Sequence, residues 1–379
     1  MCSSYTLLSF LVLISAFFAS KFLLPAKELP IRILNPSDPC TVTQKTWTLT
    51  SRPSGPFKST DATLETSSLD VCSPSPNSLI IKTSTLGLDA FLRTMLDAEA
   101  FHGAVNLTGD LPAFGVGTVV SSGVNSTYSP GDTVMGMLGA SNYVEMIPSE
   151  MGPFPVLPFL PTELSLGLLS LTTGITAHVG IYGVLKPPRK GDTVVVSAAA
   201  GAVGSVAVQL AKRTGAKVIG VAGGEIKNYY LKEELGVLAV DYKAGDLGGQ
   251  LDELAPEGID FFFDGAGGEV LDEVLRRINY NARVVICGAA SQYSGNLNVG
   301  VVKGPSEYLK LAEKDSTMKG FVVLNYMWRV PGAMLDLIYL WATDKIELKE
   351  SWVEGIEEFP NAMVKMFSGG MVGKILVKV

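Results

Sequence analysis

Residues 198–204 read AAAGAVG, a run without polar side chains, so any chemistry in this stretch must come from its backbone. Within it, Ala199-x-Gly201-x-x-Gly204 matches a dinucleotide-binding fingerprint in which alanine replaces the first glycine. A side chain at Gly201 would hold the backbone away from a pyrophosphate, and one at Gly204 would push the following helix off its strand. Backbone N–H groups at the positive end of that helix would then hold the ligand.

The segments on either side of this run have the arrangement that the fingerprint requires. TVVVSA (193–198) is a short β-branched strand, SVAVQLAKRTGA (205–216) has the apolar period of a helix, and KVIGVA (217–222) is a second strand. The glycine spacing alone is weak evidence. Its position between the strand and the helix of a β-α-β unit predicts a dinucleotide site.

The end of the second strand indicates which dinucleotide binds. An NAD site usually has Asp or Glu there for the ribose 2′-OH, whereas this strand ends in Ala222-Gly223-Gly224. Lys227 follows and suits a 2′-phosphate, although Glu225 would repel that phosphate unless it points away. NADP(H) is therefore favoured as the cofactor.

The alternation of strands and helices continues along the chain. VLAVDYK, IDFFFDGAGG and ARVVICGAAS are further strands with helical segments between them, which predicts an open parallel sheet whose ligand lies at the carboxyl ends of the strands. Upstream, residues 46–160 contain short strands, many turns and few helices, so they predict a compact β-rich barrel.

Composition excludes some classes of function. The 379 residues carry a net charge of −7, which supplies no basic field for nucleic acid. The chain has four cysteines and two histidines (Cys2, Cys40, Cys72, Cys287, His102 and His178), with no C-x-x-C. These scattered ligands predict no metal site, and their spacing does not resemble a disulfide framework.

The N-terminus has the pattern of a targeting segment. Residues 6–20 contain no charge, which predicts a signal peptide or membrane anchor over 1–24, and the Pro-rich residues 25–45 predict a linker. The segment points to the secretory route, an organelle or a membrane; without it the protein would be cytoplasmic. The sequons Asn106-Leu-Thr and Asn125-Ser-Thr fit a lumenal location, but such tripeptides also arise by chance, and from the sequence alone chance is favoured.

Several motifs together resemble a known family. They are SRPSGPF, LGLDAFLR and SPGDTVMGMLG in the first half, and LTTGITAH, AGGEIK, VDYK, FFFDGAGG, VVICGAASQY and VGKILVKV in the second. Over residues 46–379 the sequence resembles the zinc-free medium-chain dehydrogenase/reductases. It is most similar to the prostaglandin reductase, leukotriene B4 dehydrogenase and plant double-bond reductase group.

The resemblance implies an α/β fold in which a GroES-like β-barrel accompanies a Rossmann doubly wound parallel sheet. The barrel would span 46–160 and be completed by about 346–379, and the NADP-binding domain would span 161–345. It also implies a homodimer that reduces the carbon–carbon double bond of small-molecule α,β-unsaturated aldehydes or ketones, such as 2-alkenals or 15-oxoprostaglandins.

Site residues carry over from the resemblance position by position. The cofactor would be bound by Ala199, Gly201, Ala202, Val203 and Gly204 at the pyrophosphate, Lys227 and Tyr242 at the 2′-phosphate, Cys287, Gly288, Ala289 and Tyr293 beside the nicotinamide, and Phe321, Val322 and Val323 on the far wall. Hydride transfer to the β-carbon places charge on the carbonyl oxygen, and Tyr293 would stabilise that oxygen or position a water. Alternatively, Tyr293 only packs on the cofactor.

Three positions depart from the family pattern. Gly265 and Met371 replace asparagines, and Phe91 replaces a tyrosine at the pocket wall, so the pocket loses three polar groups. We expect a more apolar substrate or a weaker activity. Quinone reduction and a catalytically impaired NADP-binding interaction protein are the alternatives, but the retention of Lys227, Tyr242 and Tyr293 favours an enzyme.

Overall fold

The computed structural model describes residues 39–149, 152–157, 160–295 and 304–379. The predicted targeting segment 1–24 and the predicted linker as far as residue 38 lie outside these ranges. Among the described helices, none is long and apolar enough to cross a membrane.

The described residues form fifteen β-strands, which lie in both halves of the chain. In chain order they are β1 (Thr41–Leu49), β2 (Ala62–Asp70), β3 (Leu79–Leu88), β4 (Phe114–Ser122), β5 (Thr133–Met137), β6 (Tyr143–Met146), β7 (Phe154–Pro155), β8 (Thr193–Ser197), β9 (Lys217–Ala222), β10 (Leu238–Asp241), β11 (Ile259–Asp264), β12 (Ile278–Ile286), β13 (Thr317–Gly320), β14 (Glu350–Glu354) and β15 (Lys374–Lys378).

The α-helices lie mainly in the second half. In chain order they are α1 (Thr162–Leu166), α2 (Gly174–Tyr182), α3 (Ala202–Arg213), α4 (Glu225–Tyr229), α5 (Leu247–Leu254), α6 (Gly268–Leu275), α7 (Leu309–Glu313), α8 (Val330–Ala342) and α9 (Phe359–Ser368). A π-helical turn over Tyr230–Glu234 continues α4.

The described part of the chain begins with an antiparallel hairpin of β1 and β2, and two sequence-based expectations fail there. Strand β1 starts at Thr41, so the predicted linker ends earlier than residue 45; residues 41–45 pair with β2 through register partners such as Thr41 and Asp70. A disulfide joins Cys40 to Cys72 across the open end of the hairpin. The cysteine spacing gave no sign of this bond, because register, rather than spacing, brings the two residues together.

The barrel is a seven-stranded, mostly antiparallel sheet in the order β14-β15-β3-β4-β5-β7, with β6 paired to β3. The short strands predicted within residues 46–160 include β3 to β6. The C-terminal strand β15 pairs antiparallel with β3, so the end of the chain returns to the first sheet.

The second sheet is parallel throughout, in the order β10-β9-β8-β11-β12-β13. Its central strands carry β-branched and aromatic side chains that are fully buried, such as Val195 and Phe262. The sheet confirms the predicted α/β class, and β13 adds a sixth strand that the sequence pattern had not indicated. Strand order reverses between β8 and β11, which is where such sheets bind their ligands.

Candidate cofactor and substrate site

The carboxyl ends of the six parallel strands form one edge, and the sequence-predicted site residues follow them. The loop 199–204 follows β8, Lys227 lies in α4 after β9, Tyr242 follows β10, Cys287 to Ala289 and Tyr293 follow β12, and Phe321 to Val323 follow β13. The topology therefore gathers residues from more than 120 positions of sequence along one edge of the sheet.

The glycines of the fingerprint are required for different reasons. A Cβ at Gly204 would lie 2.2 Å from the carbonyl oxygen of Ala198, so no side chain fits between α3 and its strand. A Cβ at Gly201 would contact only the same Ala198 oxygen, at 3.2 Å. The φ angle of Gly201 is −83°, which any residue can adopt. Apart from its chain neighbours, no other atom of the described residues lies within 4 Å of that Cβ position, which leaves the close approach that a pyrophosphate needs at the start of α3.

A buried carboxylate that the sequence analysis did not select organises the neighbouring loop. Asp264 ends β11, and its Oδ1 accepts a hydrogen bond of 2.6 Å from the Ser197 hydroxyl at the end of β8. The same carboxylate accepts from the N–H groups of Ala266 and Gly267, while Ser197 Oγ accepts from the N–H groups of Gly265 and Ala266. These bonds fix the loop 265–267 at the switch point of the sheet.

Burial sets the protonation of this region. It raises the pKa of Asp264, while the hydrogen bonds from Ser197, Gly267 and Ala266 oppose the rise. Burial, with the nearby Asp264 carboxylate, also raises the pKa of the Cys287 thiol to about 12. Cys287 is therefore a neutral thiol at physiological pH and does not supply a nucleophilic thiolate.

Two lysines converge where the ribose end of a dinucleotide would lie. A Cβ built on Gly369, just after α9, would lie 3.3 Å from Nζ of Lys243 and 3.6 Å from Nζ of Lys227. Burial, then the charge of Lys243, lowers the pKa of Lys227. The ring of Tyr242 lies against Gly223, whose Cβ would be 2.7 Å from it.

Two adjacent lysine cations provide the positive charge that a phosphate dianion requires. The sequence analysis did not select Lys243. It follows Tyr242 in VDYK, and the local sequence pattern does not show that its side chain turns towards Lys227. Glu225, the predicted complication, is exposed at the start of α4.

Tyr293 lies in a short 3-10 turn, Ala290–Gly295, and its hydroxyl points back to the end of β12. The oxygen accepts a 3.3 Å hydrogen bond from the N–H of Ala289 and would be 2.6 Å from a Cβ at Gly288. Burial raises the pKa of Tyr293, with smaller contributions from Cys287 and Asp264. The phenol is thus protonated at neutral pH, and its hydrogen bond with Ala289 does not use its proton.

The three positions that depart from the family pattern have apolar surroundings or open space. Phe91 and Met371, two of the departures from the family pattern, both pack on the core cluster that contains Leu88 and Ile375. The Phe91 ring makes edge contacts with His102 at 4.8 Å and with Phe114 at 6.4 Å between centroids. At Gly265, a Cβ would be 3.8 Å from its nearest neighbours, so the loop has space for a Cβ at this position.

The C-terminal segment ties the barrel to the glycine loop. Gly373 forms a parallel bridge with Gly201, and its N–H donates to the carbonyl of Ala200 at 2.8 Å. The next residue, Lys374, forms a buried ion pair of 2.6 Å with Asp89 at the end of β3. The glycine loop is therefore held partly by residues at the start of the last strand of the barrel.

The remaining candidates have structural contacts. Phe321 packs edge-on against Tyr326 at 6.1 Å, and Val323 begins the turn that leads to α8. His178 lies 3.2 Å from Asp336 of α8, and burial lowers its pKa. Within the described ranges, no three His, Cys, Asp or Glu side chains are grouped as a metal site requires.

Comparison with known proteins agrees with this architecture. Residues 202–339 match the family model for zinc-binding dehydrogenases, and residues 45–153 match the N-terminal domain of oxidoreductases. The chain is 33% identical to the NADP(+)-dependent 2-alkenal reductase of Nicotiana tabacum, over 80% of this chain and 88% of the relative. It is 32% identical to prostaglandin reductase 1 of Rattus norvegicus, over 89% and 99% of the two chains. The crystal structure of CurA from Vibrio vulnificus in complex with NADPH superposes with a TM-score of 0.80 at 30% identity, covering 88% of this chain and 99% of that one.

A parallel sheet with this glycine loop, combined with a barrel that the C-terminal strands join, defines a medium-chain dehydrogenase/reductase that uses NADP(H). Within that class, the chain belongs to the zinc-free group that includes the prostaglandin reductases and alkenal double-bond reductases, as the resemblance implied. The protein is an NADP(H)-dependent oxidoreductase.

Proposed function

We propose that this protein reduces the carbon–carbon double bond of α,β-unsaturated aldehydes or ketones, with a 2-alkenal or a 15-oxoprostaglandin-like enone as substrate. The observation that carries the proposal is the Tyr293 hydroxyl, which is held by the N–H of Ala289 and keeps its own proton to donate. It lies beside the loop after β12, on the sheet edge where the nicotinamide of such enzymes binds.

NADPH, when bound, supplies the hydride, and the protein needs only to position the reactants and to stabilise charge. The N–H groups of the loop 201–204 at the start of α3 would hold the pyrophosphate, and Lys227, Lys243 and Tyr242 would hold the 2′-phosphate. The space beside Gly201 supports this arrangement, because among the described residues a Cβ there would meet only the carbonyl oxygen of Ala198.

Reduction of an enone develops negative charge on the carbonyl oxygen. A protonated phenol directed at that oxygen stabilises the charge without a change in net charge of the site. Because burial raises the pKa of Tyr293, the hydroxyl stays protonated as a donor and can bond the oxygen or position a water that protonates the α-carbon.

The pocket wall favours apolar substrates. Phe91 and Met371 are apolar where the family has polar groups, and both are partly buried against the barrel core; Gly265 has no side chain. A long-chain enal or lipid enone buries more apolar area against such a wall than a short, polar enone does. The test is NADPH oxidation by the full-length protein with a panel of enals, enones, quinones and 15-oxo lipids. Turnover of quinones alone would refute the proposal.

A catalytically impaired NADP-binding protein is the second candidate, favoured by the three lost polar groups. The two functions are separated by measuring NADPH binding and turnover on the same preparation. Tight NADPH binding with no substrate of the panel reduced would establish the second function.

We also propose a homodimer. The turn before α8 and α8 itself present large exposed hydrophobic side chains, among them Leu324, Trp328 and Leu335. A patch of this kind commonly marks an interface between proteins. Sedimentation of the wild type and of Trp328→Glu tests it: the wild type should have twice the mass of the chain, and the variant should shift towards the monomer.

A further inference from the structure

The hairpin of β1 and β2 is closed by a disulfide, and this bond indicates in which kind of cellular compartment the protein folds. Cys40 and Cys72 are both exposed, and the bond joins residues that are 32 positions apart in the sequence. Disulfides of this accessible kind persist in oxidising compartments and are reduced by thiol pools elsewhere. The bond therefore points to a lumenal or extracellular location for the barrel.

The first sequon lies in a turn bound to this hairpin. Asn106 is exposed, and its carbonyl accepts from the N–H of Gly109 to close the turn. The N–H of Thr108 donates to the carbonyl of Leu49, at the end of β1, and Leu49 donates back to Gly109. Asn106, which would carry the glycan, and Thr108, the third residue of the sequon, are both exposed. Glycosylation of a folded surface turn requires this exposure.

The second sequon lies in a turn bound to the loop that follows Cys72. The N–H of Asn125 donates to the carbonyl of Pro76, and its side-chain amide donates to Oδ1 of Asn77 at 2.8 Å. Asn125 and Thr127 are exposed, and Val124 beside them is 91% exposed. The first sequon thus bonds to the end of β1, inside the segment that the disulfide closes, and the second bonds to the loop just after that segment.

We propose that Asn106 and Asn125 are N-glycosylated and that this part of the protein matures in an oxidising lumen. The disulfide is an observation independent of the sequons, and it points to the same kind of compartment. Neither turn contributes a residue to the sheet edge proposed for the cofactor site.

The chemistry of both modifications is balanced by lumenal co-reactants. Each asparagine side-chain nitrogen forms a bond to the anomeric carbon of an oligosaccharide. The bond from that carbon to the phosphate oxygen of a polyprenyl-diphosphate donor breaks, and the amide releases one proton. At the hairpin, two thiols lose two protons and two electrons to a thiol–disulfide oxidant, and the S–S bond forms.

The test uses the full chain, expressed in a eukaryotic cell with a C-terminal epitope tag. Peptide N-glycosidase should increase its electrophoretic mobility by two steps, and Asn106→Gln and Asn125→Gln should each remove one step. Thr108→Ser is the matched control, because it keeps the sequon and should keep both steps. Asn77→Gln, which removes the neighbour of Asn125 but no sequon, should also keep both.

Thiol labelling measures the second half of the proposal on the same material. Under denaturing conditions a maleimide should label Cys40 and Cys72 only after reduction, whereas Cys287 is labelled before it. A chain that shows no mobility shift, while a secreted glycoprotein from the same cells does, overturns the proposal. Labelling of Cys40 and Cys72 without reduction overturns it as well. Neither result depends on reductase activity.

Discussion

Lys374 and Asp89 form a buried ion pair of 2.6 Å across 285 residues of sequence, between the last strand of the chain and the end of β3. The lysine amine also lies 3.4 Å from the Thr173 hydroxyl, which precedes α2. The pair connects the barrel to the domain of the parallel sheet directly beside Gly373, the residue that bridges to the glycine loop. It therefore links folding of the C-terminus to the geometry of the cofactor site.

Removal of one partner of this pair should be severe. In Asp89→Asn, Lys374 stays buried without its counter-charge, and losses of about 3–5 kcal/mol are typical of such changes. Denaturant unfolding of the variant measures the loss in the free energy of unfolding. Lys378→Met is the matched control on the same strand, because Lys378 faces solvent and pairs with Glu354 at 3.5 Å. An exposed pair is worth about 0–1 kcal/mol, so equal effects of the two substitutions would contradict the prediction.

The sequence predicted the parts of this structure that depend on local pattern. The period of SVAVQLAKRTGA, the β-branched run of β8 and the glycine spacing each depend on neighbours within a few residues, so the β-α-β unit and the fold class followed from them.

The unpredicted features depend on contacts between distant residues. Ser197 and Asp264 lie 67 positions apart, and Lys243 reaches Lys227 only because β10 pairs in parallel with β9. The Cys40–Cys72 bond likewise depends on the register of β1 and β2. None of these relationships has a periodic signal in the sequence.

The lysine cluster makes a prediction about cofactor selectivity. We expect NADPH to bind at least tenfold more tightly than NADH, since tenfold corresponds to about 1.4 kcal/mol, within the range of one charge-assisted hydrogen bond. Lys227→Ala and Lys243→Ala should each reduce that ratio, because each removes one of two cations that converge near Gly369. Titration of both cofactors measures it. Lys232→Ala, an exposed lysine of the adjoining π-helical turn, should leave the ratio unchanged. Equal affinities of the wild type for NADPH and NADH would contradict the prediction.

The space beside Gly265 makes a prediction about lost polar contacts. Gly265→Asn should be accommodated, because the added Cβ would have only ordinary contacts at 3.8 Å. One recovered hydrogen bond is worth about 0.5–1.5 kcal/mol, so kcat/KM for a polar enone should rise by roughly two- to tenfold. Steady-state kinetics with a polar and an apolar enone test it. The gain should be confined to the polar substrate, and a loss of NADPH affinity instead would show that the asparagine obstructs the crevice.

The small number of histidines and cysteines predicts that the enzyme does not depend on a metal ion. Two histidines and four scattered cysteines, two of which form the disulfide, leave few ligands for a zinc ion. Elemental analysis of the purified protein should detect no stoichiometric zinc, and incubation with a chelator should leave turnover unchanged. One zinc per chain would contradict the zinc-free assignment of the active site.

The catalytic role of Tyr293 makes the last prediction. Tyr293→Phe removes the hydroxyl that accepts from Ala289 but keeps the ring, so packing on the cofactor is preserved. Loss of an oxyanion donor reduces rates by about 10² to 10³ in enzymes where nothing replaces it. A ribose hydroxyl or a water can substitute here, so we expect kcat to fall roughly ten- to a hundredfold with little change in NADPH affinity. A contact made in the transition state lowers kcat and kcat/KM together.

The pH dependence of the wild type separates a proton donor from a packing residue. Burial raises the pKa of Tyr293, so the phenol keeps its proton throughout the range in which an ordinary tyrosine is protonated and beyond it. The rate advantage of the wild type over Tyr293→Phe should therefore stay constant from neutral pH to about 10, the ordinary tyrosine pKa, and disappear only above it. Tyr293→Ala serves as the packing control, because it should also weaken NADPH binding or stability. An unchanged kcat in the Phe variant, with hydride transfer shown to be rate-limiting by a deuteride isotope effect, would leave Tyr293 a packing residue only.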